Sequence, residues 1–120
     1  MVVDNNIFGN TQGIYFSSAG STDIWVHRNI SHANSDYGIY FTHPDAPAMI
    51  SNNVSNGNSI GGVAIGISGS TFPDGTTLRN NIVSNNASFG LNVGVNSSNT
   101  ISDFNYFWNN FIFFIFKYSW

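Results

Sequence analysis

Asn29-Ile30-Ser31-His32-Ala33-Asn34-Ser35-Asp36-Tyr37-Gly38-Ile39-Tyr40-Phe41 is the stretch whose reading decides the fold. It sets short apolar runs between Asn, Ser and Gly, and its parts recur along the chain. An Asn before a β-branched or aromatic residue appears at Asn6, Asn29, Asn53, Asn81 and Asn105, with spacings of 23, 24, 28 and 24 residues. A second Asn column follows at Asn10, Asn34, Asn58, Asn86 and Asn110. Then come Gly13-Ile14-Tyr15-Phe16, Gly38-Ile39-Tyr40-Phe41, Gly62-Val63-Ala64-Ile65 and Gly90-Leu91-Asn92-Val93. Upstream of the first column lie Val2-Val3, Trp25-Val26, Met49-Ile50 and Thr77-Leu78.

Features that recur in register mark a repeat protein. A unit of 24 residues is short for two helices and a turn, and the units lack helical periodicity. Each holds two or three strands of three to five residues. One such coil cannot bury its apolar side, whereas stacked coils can. Strands of successive coils then pair in parallel about 4.8 Å apart. The pattern predicts an all-β fold, a parallel β-helix of four to five coils in one domain over residues 1–110, followed by an aromatic segment, 111–120.

Period two in the Gly strand assigns two inward columns: Ile14, Ile39, Val63, Leu91 and, two residues on, Phe16, Phe41, Ile65, Val93. Burying one such side chain contributes roughly 1.5–3 kcal/mol. Tyr15, Tyr40, Ala64 and Asn92 are expected outward. The Asn columns are expected at corners, where Asn tolerates positive φ and stacked amides form ladders. Gly before each third strand is expected to mark another bend.

Composition agrees and excludes. Asn (19), Ser (16) and Gly (12) dominate the 120 residues, while Lys and Arg number three. Three basic residues make no nucleic-acid patch. There is no cysteine, hence no disulfide and no Cys-ligated metal. The most apolar run, Phe111 to Phe116, is far short of the roughly 20 residues of a membrane-spanning helix. The N-terminus shows no basic region before an apolar run, so no signal peptide is expected within these residues.

The pattern Asn-Asn-Ile-x-x-x-Asn followed by Gly-Ile-Tyr-Phe resembles the right-handed parallel β-helix repeat of the pectate-lyase-like superfamily over residues 2–110. The resemblance implies an extracellular or cell-surface protein that binds or processes polysaccharide along a lateral sheet face. It does not decide activity, because that superfamily holds lyases, hydrolases and domains without known activity. Its hydrolase motifs (Asn-Thr-Asp, Asp-Asp, Gly-His-Gly, Arg-Ile-Lys) do not occur in the chain. Whether it is an enzyme stays open. The alternatives are a non-catalytic structural or adhesive solenoid and a polysaccharide lyase fragment; no cofactor is expected, and calcium enters only with the lyase alternative.

The candidate carbohydrate-binding residues are Tyr15, Tyr40 and Asn92, with His27 and Arg28 nearby. An exposed aromatic face suits the apolar face of a sugar ring, and an arginine suits a sugar carboxylate. Aligning Asp4, His27, Ser51, Arg79 and Asp103 in one column predicts an Asp4–His27 and an Arg79–Asp103 contact. Asp23 and Asp45, in neighbouring loops, are the weak metal candidates. The loop Ser68–Gly75 and the turn Asp residues Asp36 and Asp74 read as surface excursions. Four sequons, at Asn29, Asn53, Asn86 and Asn96, read as by-products of the Asn columns. Both ends read as cut from a longer solenoid: residues 1–3 already lie within a repeat, and 111–120 is either a cap or a truncated end. The fifth coil is expected to place Phe114 where the repeat has Gly, and Ile115 in the inward column.

Overall fold

A computed structural model describes residues 1–17, 23–42, 48–67, 75–94 and 100–116. Every regular element there is a short β-strand, and three strands make one coil. The first coil is β1 (Val2–Val3), β2 (Asn6–Phe8) and β3 (Ile14–Phe16). The second is β4 (Ile24–His27), β5 (Ile30–His32) and β6 (Tyr37–Phe41), and the third β7 (Ala48–Ser51), β8 (Val54–Asn56) and β9 (Gly61–Ile65). The fourth is β10 (Thr77–Arg79), β11 (Ile82–Ser84) and β12 (Phe89–Val93), and the fifth β13 (Ile101–Asp103), β14 (Tyr106–Trp108) and β15 (Ile112–Phe116). Equivalent strands pair in parallel, giving three five-stranded sheets. Sheet A is β1-β4-β7-β10-β13, sheet B is β2-β5-β8-β11-β14 and sheet C is β3-β6-β9-β12-β15. This is the expected β-solenoid.

The core is a stack of like on like. Sheet A contributes Val26, Ile50 and Leu78, each fully buried and in register. Sheet C contributes the two anticipated columns, with Ile39, Phe41, Val63, Ile65 and Leu91 at the centre. Phe16 stacks on Phe41 at 4.8 Å. Sheet B is different: its inward column runs Ile7, Ser31, Ser55, Val83, Phe107. Ser31 Oγ donates to Gly38 O (2.7 Å) and Ser55 Oγ to Gly62 O (2.8 Å), so the buried hydroxyls are satisfied.

Two Asn ladders run the length of the stack. In the one between sheets A and B, Asn29 Nδ2 and the Asn29 backbone N–H both donate to Asn53 Oδ1 (3.0 and 2.9 Å). Asn53 and Asn81 repeat the pattern onto Asn81 and Asn105. Its first rung is Asn5, not Asn6: Asn5 Nδ2 donates to Asn29 Oδ1 (2.9 Å), while Asn6 lies in β2 opposite Ile30. Ile7 is the inward residue of β2, so Asn6 must point out, and the true spacing of the first two rungs is 24. The ladder between sheets B and C links Asn34, Asn58, Asn86 and Asn110 by the same paired donations, and Asn10 joins it through its backbone N–H, which donates to Asn34 Oδ1 at 3.1 Å while its Nδ2 turns to Phe8 O.

The ladder amides do not carry the positive φ; the residues before them do. Asp4, Arg28, Asn52, Asn80 and Phe104 have φ of 52–59° at the A–B corner. Gly9, Ala33, Gly57, Asn85 and Asn109 do the same at the B–C corner. A left-handed residue turns the chain, and the following Asn then points inward to its ladder. The repeat glycines Gly38 and Gly62 lie inside strands at negative φ and serve close approach instead. A Cβ on Gly62 would overlap Val83 Cγ1 and stand 2.8 Å from Gly90 O.

The segment 112–116 continues sheet C as its fifth strand. Phe114 pairs with Leu91 and Ile115 with Asn92. The expectation was one residue out of register: position 113, not 114, aligns with Gly90.

Candidate functional site

Sheet C places Tyr15, Tyr40, Ala64 and Asn92 in one column, the one expected to face outward. Tyr15 and Tyr40 sit on adjacent rungs with ring centroids 5.4 Å apart and planes tilted by 39°. Tyr15 is 49% exposed, and Tyr40 is half-buried. Tyr37, which the sequence reading passed over, packs on Tyr40 at 5.0 Å. Its ring lies over Gly61, its partner on the next rung, where an added Cβ would approach Tyr37 Cε1 to 2.9 Å. The signal was present in the text: Gly61-Gly62 has one glycine more than the repeat requires, opposite an aromatic. Tyr37 is buried, and burial pushes its hydroxyl pKa up. Asp36 and Tyr40 push the same way, and a hydrogen bond with the Asn92 side chain opposes them.

That bond defines what Asn92 does. It is only 6% exposed, and Ala64 is fully buried, so the outward column is open at its first two rungs and covered at the next two. Asn92 therefore does not join an exposed strip with Tyr15; its side chain is covered and meets the Tyr37 hydroxyl. Its Oδ1 accepts no hydrogen bond from the described residues, and Thr76 Oγ1 is likewise unpartnered. Asp36, half-buried at the start of β6, accepts a hydrogen bond from Gln12 Nε2 at 3.1 Å.

His27 and Arg28 are not brought to this face. His27 ends β4 on sheet A, where its Nδ1 shares a 2.9 Å hydrogen bond with Ser51 Oγ. Its column is Val3, His27, Ser51, Arg79, Asp103, so Asp4 and His27 do not share a column, and the hydrogen bond between them runs from the Asp4 backbone N–H to His27 O at 3.3 Å. Asp4 instead pairs with Arg28, which donates from Nε to Oδ1 at 2.7 Å and from Nη2 to Oδ2 at 2.5 Å. The off-by-one has the same origin as that at Asn6. Arg28 holds the Asp4 carboxyl below its ordinary range, chiefly through that hydrogen bond, and Asp4 raises Arg28 in return. Arg79 does meet Asp103, at 3.2 Å. Both pairs are largely exposed.

A second feature escaped the sequence reading. The outer face of sheet B aligns Asn6, Ile30, Val54, Ile82 and Tyr106. Ile30, Ile82 and Tyr106 are 46–58% exposed, and Phe8 and Trp108 flank them in the neighbouring column. Phe8 stacks on His32 at 5.2 Å, and His32 Nε2 bonds Asn6 Oδ1 at 3.1 Å. This is an apolar ladder with no formal charge.

Asp23 is exposed with φ +55 and stands just before β4; Asp45, His43, Asp74 and the loop from Ser68 to Asp74 lie outside the described residues. The sequon residues Asn29, Asn53 and Asn86 are 1–2% exposed within the ladders, which leaves no room for a glycan; Asn96 lies outside the described residues. Among the described residues no helix is long and apolar enough to cross a membrane.

These features define a parallel β-solenoid with flat lateral faces built from stacked like residues. The chain belongs to the NosD family, described as periplasmic copper-binding proteins, whose family model matches residues 1–117. This is a right-handed β-helix family, so the resemblance to β-helix repeat proteins holds at that level. No curated protein and no solved structure matches the chain.

The family description raises copper, whose protein ligands are imidazole, thiolate and thioether. Among the described residues no three His, Cys, Asp or Glu side chains converge. His27 and His32 stand on different sheets and each bonds a neighbouring rung. Met1 and Met49 lie on no common rung with a histidine, and the chain has no cysteine. The described residues do not fit a copper centre. Nor, among the described residues, does an acidic set for calcium assemble around Asp23.

Proposed function

We propose that this NosD-family chain is a binding module acting outside the cytoplasm, which takes a polysaccharide along sheet C. The observation that carries the reading is the tyrosine cluster. Tyr15 presents an open ring, Tyr40 lies one rung on, and Tyr37 buttresses Tyr40 from Gly61 and Asn92. A rigid aromatic pair of this kind gives a sugar ring an apolar face to stack on and phenol hydroxyls to bond. Rigidity matters because side chains already ordered lose little entropy on binding. His27 and Arg28 stand apart from this face and have no part in the reading.

The test is retention on immobilised polysaccharides. Tyr15→Ala/Tyr40→Ala is expected to abolish retention while keeping the β-rich circular dichroism spectrum. A folded double variant that binds as the parent does overturns the reading.

A second reading, a non-catalytic structural or adhesive solenoid, is favoured by the apolar ladder of sheet B. Contiguous exposed apolar surface marks interaction sites. It expects Ile30→Lys/Ile82→Lys to lose surface adhesion that the tyrosine double variant keeps.

A further inference from the structure

Resting on that carbohydrate reading, we propose that the polymer taken by sheet C is neutral and that acidic polysaccharides are rejected. The argument is the placement of charge. Both described arginines are held in ion pairs, Arg28 with Asp4 and Arg79 with Asp103. Arg28 sits at the corner of sheets A and B, and Arg79 ends a strand of sheet A. Neither stands on the tyrosine face, and both already have a carboxylate partner. His27 and His32 belong to sheets A and B.

Among the described residues, the charge that stands beside the tyrosines is negative. Asp36 directly precedes Tyr37, is oriented by Gln12 of the rung before, and acts electrostatically on the Tyr37 hydroxyl. A sugar carboxylate docked over Tyr15 and Tyr40 would meet this like charge with no arginine from the described residues to offset it. Like-charge juxtaposition is a means of rejecting the wrong partner. A neutral pyranose loses nothing by it. The chain's net charge of −3 adds a weak long-range repulsion of polyanions.

The experiment is isothermal titration of the full chain with two sets of hexasaccharides at low salt. The neutral set is cello-, laminari- and mannohexaose; the acidic set is hexagalacturonate and hexamannuronate. At least one neutral sugar is expected to bind about tenfold or more tighter than either acid, and Asp36→Asn is expected to narrow that ratio by strengthening the acids. Equal or tighter binding of an acid, lost in Tyr15→Ala/Tyr40→Ala, overturns the neutrality inference and leaves the carbohydrate reading standing. An unchanged ratio in Asp36→Asn overturns the charge argument. Binding of no sugar in either set overturns the carbohydrate reading itself, and the inference falls with it.

Discussion

Asn53→Ala should cost this protein several times what Asn5→Ala costs, although both remove a rung of the same ladder. The Asn53 side chain takes part in four hydrogen bonds. Its Oδ1 accepts from the Asn29 backbone N–H (2.9 Å) and from Asn29 Nδ2 (3.0 Å). Its Nδ2 donates to Val26 O and to Asn81 Oδ1, both at 3.0 Å. Truncation strands the Asn29 N–H inside the stack, at roughly 1–3 kcal/mol. The other losses are softer. Asn29 Nδ2 keeps Val2 O and His27 O, and Asn81 Oδ1 keeps the Asn53 N–H. At about 0.5–1.5 kcal/mol for each of these three bonds, the total comes to about 2.5–7.5 kcal/mol. That is a large share of the roughly 5–15 kcal/mol that holds a native domain together. Asn5 is exposed, and its side chain only donates, to Val3 O and Asn29 Oδ1 at 2.9 Å each. Water replaces such bonds, so Asn5→Ala should cost no more than about 1 kcal/mol. Urea titration followed by circular dichroism measures the difference, with equal m-values required for the comparison. If the two variants fall within 1 kcal/mol of each other by this ~1 kcal/mol yardstick, the buried amide ladder is not what the stack depends on.

Other consequences are as direct. Gly62→Ala should destabilise by roughly 1–3 kcal/mol through overpacking against Val83 and Gly90, whereas Gly57→Ala meets no atom and suffers only from its φ of +63; thermal melts of the two separate crowding from backbone strain. Ala33 has φ +51 in a corner column otherwise built of Gly and Asn, so Ala33→Gly should raise stability by about 0.5–1 kcal/mol in the same titration; a loss would show that the corner does not strain Ala33. The Tyr37 pKa is raised by burial, so its contribution is fully present below the unfolded value of about 10 and is lost as pH rises through the folded value. Stability of the parent should therefore fall more steeply in that alkaline range than stability of Tyr37→Phe. Asp4 shows the opposite sign: its folded pKa is depressed, so its contribution holds above the unfolded value and fades as pH falls through the folded one. Asp4→Asn should flatten that acid limb, read by the same melts across pH.

The repeat was legible because a stack leaves its buried rungs little freedom. A buried amide needs an amide above and below it, so Asn29, Asn53 and Asn81 had to recur, and so did the aliphatic columns of sheet C. Register was less legible where the text doubles a residue. Asn5-Asn6 offers two candidates for one rung, and only the inward position of Ile7 separates them. The same slip displaced Asp4 from Arg28 to His27. The outer face of sheet B stayed hidden for another reason. Its strands are three residues long, so no alternation distinguishes an outward Ile30 from an inward one. Asn92 was placed in its column, but burial there depends on how Tyr37 lies across Gly61, a contact between rungs that no single repeat contains.

Stacking also bears on where charge can sit. In a column of identical rungs a charge would face its own kind about every 4.8 Å, and at such distances like charges repel by about 1 kcal/mol even in water. The chain avoids this by alternating sign along the axis: Arg28 follows Asp4, and Asp103 follows Arg79. Each arginine thus belongs to a neighbouring rung before any ligand arrives. To recruit Arg28 for a sugar carboxylate, a ligand would have to displace Asp4 from a two-point contact at the far corner from the tyrosines. The axis-wise pairing that makes these ions compatible with a solenoid therefore keeps both described arginines on sheet A and its corner, away from the tyrosines of sheet C.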